Sequence, residues 1–450
     1  KLNTLRWNIR QHQKSWPIFG SWSWRSEKKW MSWSGCWDYR RKDGRFENSG
    51  LCGKIMAKLV EITGKAMSGE WGFDDETGNG IPVLRTTNFT NEGVVDYKNV
   101  VTRTIIKKNI DEKYLRPGDV IIEKSGGSDK QPVGRVVYFN GPEKTYLFNN
   151  FTGLLRVKDQ TLWFPKYIFY SLYGNYRRGG TRAFENKTTG LHNLKVDDYV
   201  SRYEITELDH KKQIEVCEYL DKIYKVIKLR EEELQKLDDL IKARFVEMFG
   251  NPVANDMGWN TLPLENACKS IVDCPHSTPS YTNEDTGFMC IRTSIIKKNK
   301  ILWNDIEYIS EDEFVKRIQR KKPEVGDIVY TREGAILGIA AIIDRDCNVA
   351  LGQRSMLLSP DIDKCTSEFV CVAMNSDSFL DNVLKGVSGS ASPHINVGNI
   401  KAFRMIMPPI ELQKQFSNFV KQVDKSKVKV QKALDETQKL FDSLMQQYFG

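Results

Sequence analysis

"LIKARFVEMFG" at Leu240–Gly250 and "LFDSLMQQYFG" at Leu440–Gly450 are two versions of one ending, 200 residues apart. In each, aromatic and Met side chains complete an apolar stripe and a glycine stands where a left-handed cap would stop a helix. Reading backwards from Gly250, Leu220, Ile227, Leu234, Ile241 and Met248 recur every seven residues, interleaved with Val216, Ile223 and Leu237. Reading backwards from Gly450, the same spacing carries Phe416, Val423, Val430 and Leu444, with Phe419, Ala433 and Leu440 between them. Ser426 and Thr437 weaken this second seam. Both are a/d stripes of the coiled-coil kind. Runs of about 35–40 residues at 1.5 Å per residue give helices of roughly 55–60 Å. A helix of that length cannot bury its stripe alone. Two in one chain most simply pair with each other.

The segments before the helices also correspond, which indicates duplicated domains rather than a solenoid. "GIPVLRTTNF" (Gly80–Phe89) matches "GFMCIRTSII" (Gly287–Ile296), setting Arg85 against Arg292. "LRPGDVIIEKSGG" (Leu115–Gly127) matches "PEVGDIVYTREGA" (Pro323–Ala335), each a Gly-Asp turn, a β-branched strand and a Gly-containing exit loop. "FNNFTGLLRV" (Phe148–Val157) matches "LGQRSMLLSP" (Leu351–Pro360), and "TTGLHNLKVDDYV" (Thr188–Val200) matches "ASPHINVGNIKAF" (Ala391–Phe403), with His192 opposite His394. The halves disagree most at "AMSGEWGFDDETGNG" (Ala66–Gly80) against "PHSTPSYTNEDTG" (Pro275–Gly287), in loops, where binding residues concentrate.

The expected fold class is α+β: two pseudo-repeated mixed α/β domains separated by two long helices that form an antiparallel coiled coil. The divisions are residues 51–206 for the first head, 207–250 for the first helix, 251–408 for the second head and 409–450 for the second helix. Residues 1–50 stand apart. They hold seven of the eleven tryptophans, in stretches such as "SWSWRSEKKWMSWSGCWDYR", and show neither helical nor strand periodicity. One reading is a basic aromatic arm whose rings stack on bases. The reading preferred from the absent periodicity is sequence outside the native fold.

The chain has 450 residues and a formal charge of +9, but +7 of that charge lies in residues 1–50. Bulk charge therefore says little about nucleic acid. A basic surface has to come from clusters such as "IIKK" (Ile105–Lys108), "NYRRGGTR" (Asn175–Arg182) and "FVKRIQRKK" (Phe314–Lys322). Without a membrane-length apolar run or a signal-peptide core, a cytoplasmic protein is expected. Nine scattered cysteines without a Cys-x-x-Cys pair fit reduced, mostly buried thiols and no zinc site.

Catalytic patterns are scarce. There is no P-loop, paired-His motif or dinucleotide fingerprint. "PGDVIIEK" (Pro117–Lys124) is faintly similar to the acidic strand of metal-dependent nucleases, yet Glu123 and Lys124 are adjacent and project to opposite faces, and the second repeat has Tyr330, Thr331 and Arg332 there. "NPVA" (Asn251–Ala254) lacks the second proline and the ring that an amino-methyltransferase motif needs. Neither a catalytic residue nor a metal ligand is assigned.

Two similar heads on a stiff spacer suit a ligand read at two separated places, and DNA half-sites are such a ligand. The order of "IPVLRTT", the Gly-Asp strand, "TTGLHNL" or "SPHINVGNI", the "MPPIELQKQF" helix start and the ending "RFVEMFG" resembles the specificity (S) subunit of type I restriction-modification enzymes. The resemblance spans about Lys54 to Gly450, and residues 1–50 have no counterpart in it. It implies two target recognition domains, each reading one half of a bipartite DNA sequence. The paired helices would set the spacer and dock modification subunits. It implies a non-catalytic chain without cofactors of its own, in a complex whose two modification (methyltransferase) and two restriction (motor and nuclease) subunits use S-adenosylmethionine, ATP and Mg²⁺. The partners implied are double-stranded DNA and those subunits, with no membrane. A related bipartite restriction-modification enzyme, and a coiled-coil scaffold whose heads bind protein, are the alternatives.

Arg85 and Arg292 are expected to brace the heads. The candidate DNA-contacting residues are polar and basic groups in loops: Lys124, Ser125, Lys187, Thr188 and His192 in the first head, and Thr331, Arg332, Gln353, Arg354, Ser388, His394 and Asn396 in the second. Their chemistry would be base-edge hydrogen bonding, Arg or Lys preferring guanine and Asn or Gln adenine, with other basic groups on phosphates.

Overall fold

The computed structural model describes residues 55–107, 110–188, 191–385, 387 and 393–450, without the side chains of Lys187, Thr188 and Leu191. The tryptophan-rich residues 1–50 lie outside the described residues. The chain divides into two units, Lys1–Gly53 and Lys54–Gly450, and the second contains everything that follows. Among the described residues no helix is long and apolar enough to cross a membrane. Seven cysteines are described, all unpaired, and all but Cys347 are buried.

Both long helices contain 40 residues, His210–Phe249 and Ile410–Phe449. The first is capped by Asp209, whose side chain accepts a hydrogen bond from the Lys211 amide. It stops at Gly250, with φ +73° and ψ −159°. That conformation is not the left-handed helical well expected for the cap, but it lies in a region open essentially to glycine alone. A Cβ there would fall 2.1 Å from Asp256 Oδ1.

The pairing is antiparallel. Phe245 lies 5.6 Å from Phe416 between ring centroids, Lys427 Nζ lies 2.7 Å from Asp238 and Tyr224 lies 6.5 Å from Phe441, so numbers fall along one helix as they rise along the other. In the first helix Leu220, Ile227 and Ile241 are buried, and Ile223, Leu234, Leu237 and Met248 are partly buried. In the second, Phe416 and Val423 are buried, with Phe419, Val430 and Leu444 partly so.

Leu440 departs from the expected seam, being 51% exposed where its neighbour Phe441 is 3% exposed. A straight helix drifts about 20° per heptad against a strict seven-residue repeat. By the last turns, the inward positions are Phe441, Met445 and Phe449, which join the core of the first head. Ile241, Phe245 and Phe249 do the same in the second head. Each head is thus completed by the end of the helix that follows the other head: the Phe449 ring lies tilted against Tyr167 at 5.0 Å, and Phe249 meets Phe369 at 4.9 Å.

The heads repeat one topology. The first has an antiparallel sheet of Met67–Ser68, Thr152–Leu155, Val120–Glu123 and Val136–Tyr138 in that order; the second has Cys268–Asp273, Ser355–Pro360, Ile328–Thr331 and Ala340–Ile342. A second sheet in each head ends in a parallel pair, Val83 against Leu147 in one and Ile291 against Leu351 in the other. The Gly-Asp turns also correspond. Gly118 and Gly326 have φ of +99° and +92°, and the buried Asp119 and Asp327 accept hydrogen bonds from the amides of Arg116 and Glu324. Arg156 clamps Asp119 with two 2.7 Å bonds, whereas Lys321 reaches Asp327 at 2.8 Å.

Candidate nucleic-acid interface

At the exit of the central strand in each head the chain turns outward, and the candidate residues gather around that turn. In the first head, the Lys124 amide donates to the Phe151 carbonyl at 2.8 Å and the Lys124 carbonyl accepts from the Leu194 amide at 2.8 Å. In the second head, Arg332 donates to Arg354 at 3.0 Å and accepts from Ile395 at 2.8 Å. These two pairs of bonds fix the correspondence Lys124 to Arg332, Phe151 to Arg354 and Leu194 to Ile395. His394 therefore takes the place of Asn193, one residue from the expected match with His192. The loop lengths on either side of the histidines differ, which an ungapped comparison hides.

Lys124 is half-buried and its Nζ donates to Ser68 Oγ at 3.0 Å. Burial pushes its ammonium pKa down, opposed by the charge of Asp197. Ser125 lies on the strand Ser125–Gly127, opposite Asn193. His192 is buried, with Nδ1 3.1 Å from Glu185 Oε2 and Nε2 3.5 Å from Asp129. Glu185 also accepts from the Val133 amide at 3.0 Å, so His192 fastens the hairpin to the next loop. Lys187 and Thr188 lie on the strand Glu185–Thr188, with side chains outside the described residues. Inward of Lys124, Glu123 is buried beside Arg135 at 3.2 Å.

In the second head Thr331 is fully buried, and its hydroxyl accepts from the Ile339 amide at 2.9 Å. Arg332 is also buried. Its Nε and Nη2 fork onto Asp273 at 2.9 and 3.2 Å, and Nη1 reaches Glu333 at 2.7 Å. The Gln353 amide oxygen accepts from Thr278 at 3.1 Å. Arg354 is exposed, at a φ of +71°. His394 is partly buried and bridges to Glu333. Asn396 is exposed at the start of the short helix Val397–Lys401. Ser388 lies outside the described residues. Arg85 donates to the Asn99 carbonyl at 3.1 Å and Arg292 pairs with Glu307 at 2.5 Å, both bonds made within their own heads.

The structure thus gathers Arg332, Gln353, Arg354 and His394 at one strand end, and Lys124, Ser125 and His192 at the other. Within these groups, His192, Thr331 and Arg332 are held by the fold, while Arg354 and Asn396 face outward. Two further residues belong to the same strand ends. Phe151 is 54% exposed. His276, an exposed member of the "PHSTPS" loop, places Nε2 3.2 Å from Asp273. Only the loop position of His276 was legible, and nothing in the local sequence distinguished Phe151 from a core aromatic.

Residues 259–437 match the family of the type I restriction modification DNA specificity domain. The specificity subunit of the type I restriction enzyme MjaVIII from Methanocaldococcus jannaschii is 23% identical over 172 residues, 37% of this chain and 39% of that protein. The match therefore spans well under half of that relative. The crystal structure of a type I restriction-modification S subunit from M. genitalium is 14% identical, with a TM-score of 0.50 over 88% of this chain and 96% of the other. A chain from a structural study of complex assembly and conformational transition of the type I R-M system is 15% identical, with a TM-score of 0.49 over 88% and 97%.

Proposed function

The chain resembles type I specificity subunits in the sequence of its second half and in its fold, and we propose that it is the sequence-specific DNA-recognition subunit of such a complex. Each head reads one half of a bipartite target. The paired helices set the spacer and dock modification subunits. Methylation of adenine, ATP-driven translocation and cleavage belong to partner subunits, which hold S-adenosylmethionine, ATP and Mg²⁺. This chain performs no catalysis.

One observation carries the reading: two heads of the same topology are completed by opposite ends of one antiparallel pair of 40-residue helices. That arrangement fixes the distance between two reading surfaces. Divergence at the strand ends, where Lys124 stands against Arg332 and Phe151 against Arg354, gives the half-sites different chemistry. Binding is expected to weaken as salt rises, because phosphate contacts release counterions.

The test is selection from random duplexes by the full chain assembled with its modification subunits, read by gel shift and sequencing. The expected product has two short defined parts separated by an unspecified spacer of fixed length. One continuous motif would overturn the bipartite reading, and absence of any selection would point to a protein-binding scaffold.

A further inference from the structure

The twin turn residues Phe151 and Arg354 stand where the two heads differ most in chemistry while their backbones coincide. Both turns follow a strand joined in parallel to the same element, through Asn149 N to Leu84 O at 3.0 Å in one head and Gly352 N to Ile291 O at 2.8 Å in the other. Both give their carbonyl to the first residue beyond the central strand, Lys124 or Arg332. Both precede a fully buried hydroxyl residue, Thr152 or Ser355, which pairs with the last residue of that strand.

A single exposed ring is ordinary by itself. The twin position makes this one informative. Among the described residues, the Phe151 ring has no aromatic or cationic partner, and none of them takes an ion pair or hydrogen bond from the Arg354 guanidinium. Arg354 moreover holds φ +71°, which non-glycine residues adopt only at a cost and which clusters at binding sites. Its side chain runs past Gly334, where its Nη1 would lie 3.6 Å from an added Cβ.

We infer that this turn position discriminates the two half-sites: Arg354 donates two hydrogen bonds to O6 and N7 of a guanine, and Phe151 packs on the C5-methyl of a thymine. The inference rests on the DNA-recognition reading above. A planar guanidinium matches the guanine edge in the major groove, while a ring without donors can read only the thymine methyl there. The buried Arg332, spent on Asp273, is not the second head's guanine reader.

The experiment uses the full chain with its modification subunits on the duplex recovered by selection. Replacing each guanine in turn by 7-deazaguanine should weaken binding at one position of the second head's half-site by about tenfold, the scale of a lost base contact. Replacing each thymine by deoxyuridine should weaken binding at one position of the first head's half-site by about fourfold, the scale of one buried methyl. Arg354→Gly, which suits the positive φ, and Phe151→Ala should each abolish the matching sensitivity and leave the other half-site unchanged. If the duplex is bipartite but neither modified base matters, or if both sensitivities persist in the variants, the inference fails while the DNA-recognition reading stands. Failure to recover a bipartite duplex defeats that reading and the inference with it.

Discussion

Gln213 and Gln413 make the same three hydrogen bonds in the two halves of the molecule. Both are fully buried. The Gln213 oxygen accepts from the Phe164 amide at 2.8 Å, and its nitrogen donates to the carbonyls of Leu162 at 3.0 Å and Leu208 at 2.8 Å. The Gln413 oxygen accepts from the Thr366 amide at 3.1 Å, and its nitrogen donates to Lys364 at 3.2 Å and Pro408 at 2.8 Å. Each glutamine thus ties the first turn of a long helix to the loop before a helix of its head and to the short segment that leads into the long helix itself.

Removing either side chain strands buried backbone groups, which costs about 1–3 kcal/mol per unsatisfied group. Gln213→Ala and Gln413→Ala are each expected to lose about 3 kcal/mol of stability in urea unfolding. Loss of less than about 1 kcal/mol in either would mean that water replaces the side chain.

At the far end of the second helix, adjacent residues should behave oppositely. Phe441 packs with Tyr170 and Tyr224, and Leu440 is exposed. Phe441→Ala is expected to cost about 3–5 kcal/mol, and Leu440→Ala within about 0.5 kcal/mol of nothing. Equal losses would return Leu440 to the seam.

Much of this arrangement was legible because it depends on periodicity and turn chemistry. The duplication, the two helices and the Gly-Asp turns all follow from spacing that Leu220, Ile227, Gly118 and Gly326 declare directly. The interface was less legible. Lys124 and Arg332 occupy the same backbone position, but whether a basic side chain faces outward depends on a remote carboxylate: Asp273 draws Arg332 inward, whereas among the described residues no carboxylate pairs with Lys124, whose Nζ donates to Ser68. Likewise His192 looked like a loop donor, yet Glu185 seven residues earlier holds it across the hairpin. Such tertiary partners leave no local pattern.

Arg332 and Arg354 should therefore separate cleanly in stability measurements. Arg332→Ala leaves the Asp273 carboxylate largely buried without its fork and is expected to cost about 3 kcal/mol. Arg354→Ala removes an exposed side chain without an ion pair or hydrogen bond among the described residues, and should stay within about 0.5 kcal/mol. Thermal or urea unfolding of both variants checks the contrast, and similar values would refute it.

Glu123 supplies a pH dependence. Burial pushes its carboxyl above the ordinary glutamate value, against the opposing pull of Arg135. The folded protein then holds this proton more tightly than the unfolded chain. Its stabilising contribution is fully present below the unfolded value and is lost as pH rises through the raised folded value. Glu123→Gln has no such proton. As pH rises above the ordinary glutamate value of about 4.3, the wild type should lose stability relative to the variant; a stability difference independent of pH would show that Arg135 fully offsets the burial.

The paired helices make the most direct prediction about length. Residues 228–234 of the first helix lie opposite residues 431–437 of the second, given that Tyr224 meets Phe441 and Asp238 meets Lys427. Deleting both segments removes one heptad from each helix, so the seam stays in register and both head contacts survive. The rod shortens by about 10 Å, or roughly three base pairs at 3.4 Å each. Three base pairs also turn the duplex by about 100°, given 10–10.5 per turn, so the shortened protein should bind more weakly as well as to a shorter spacer. Selection from random duplexes is expected to return the same two half-sites with a spacer reduced by about three base pairs. An unchanged spacer would show that the helices do not set the distance, and altered half-sites would show that the deletion had disturbed the heads.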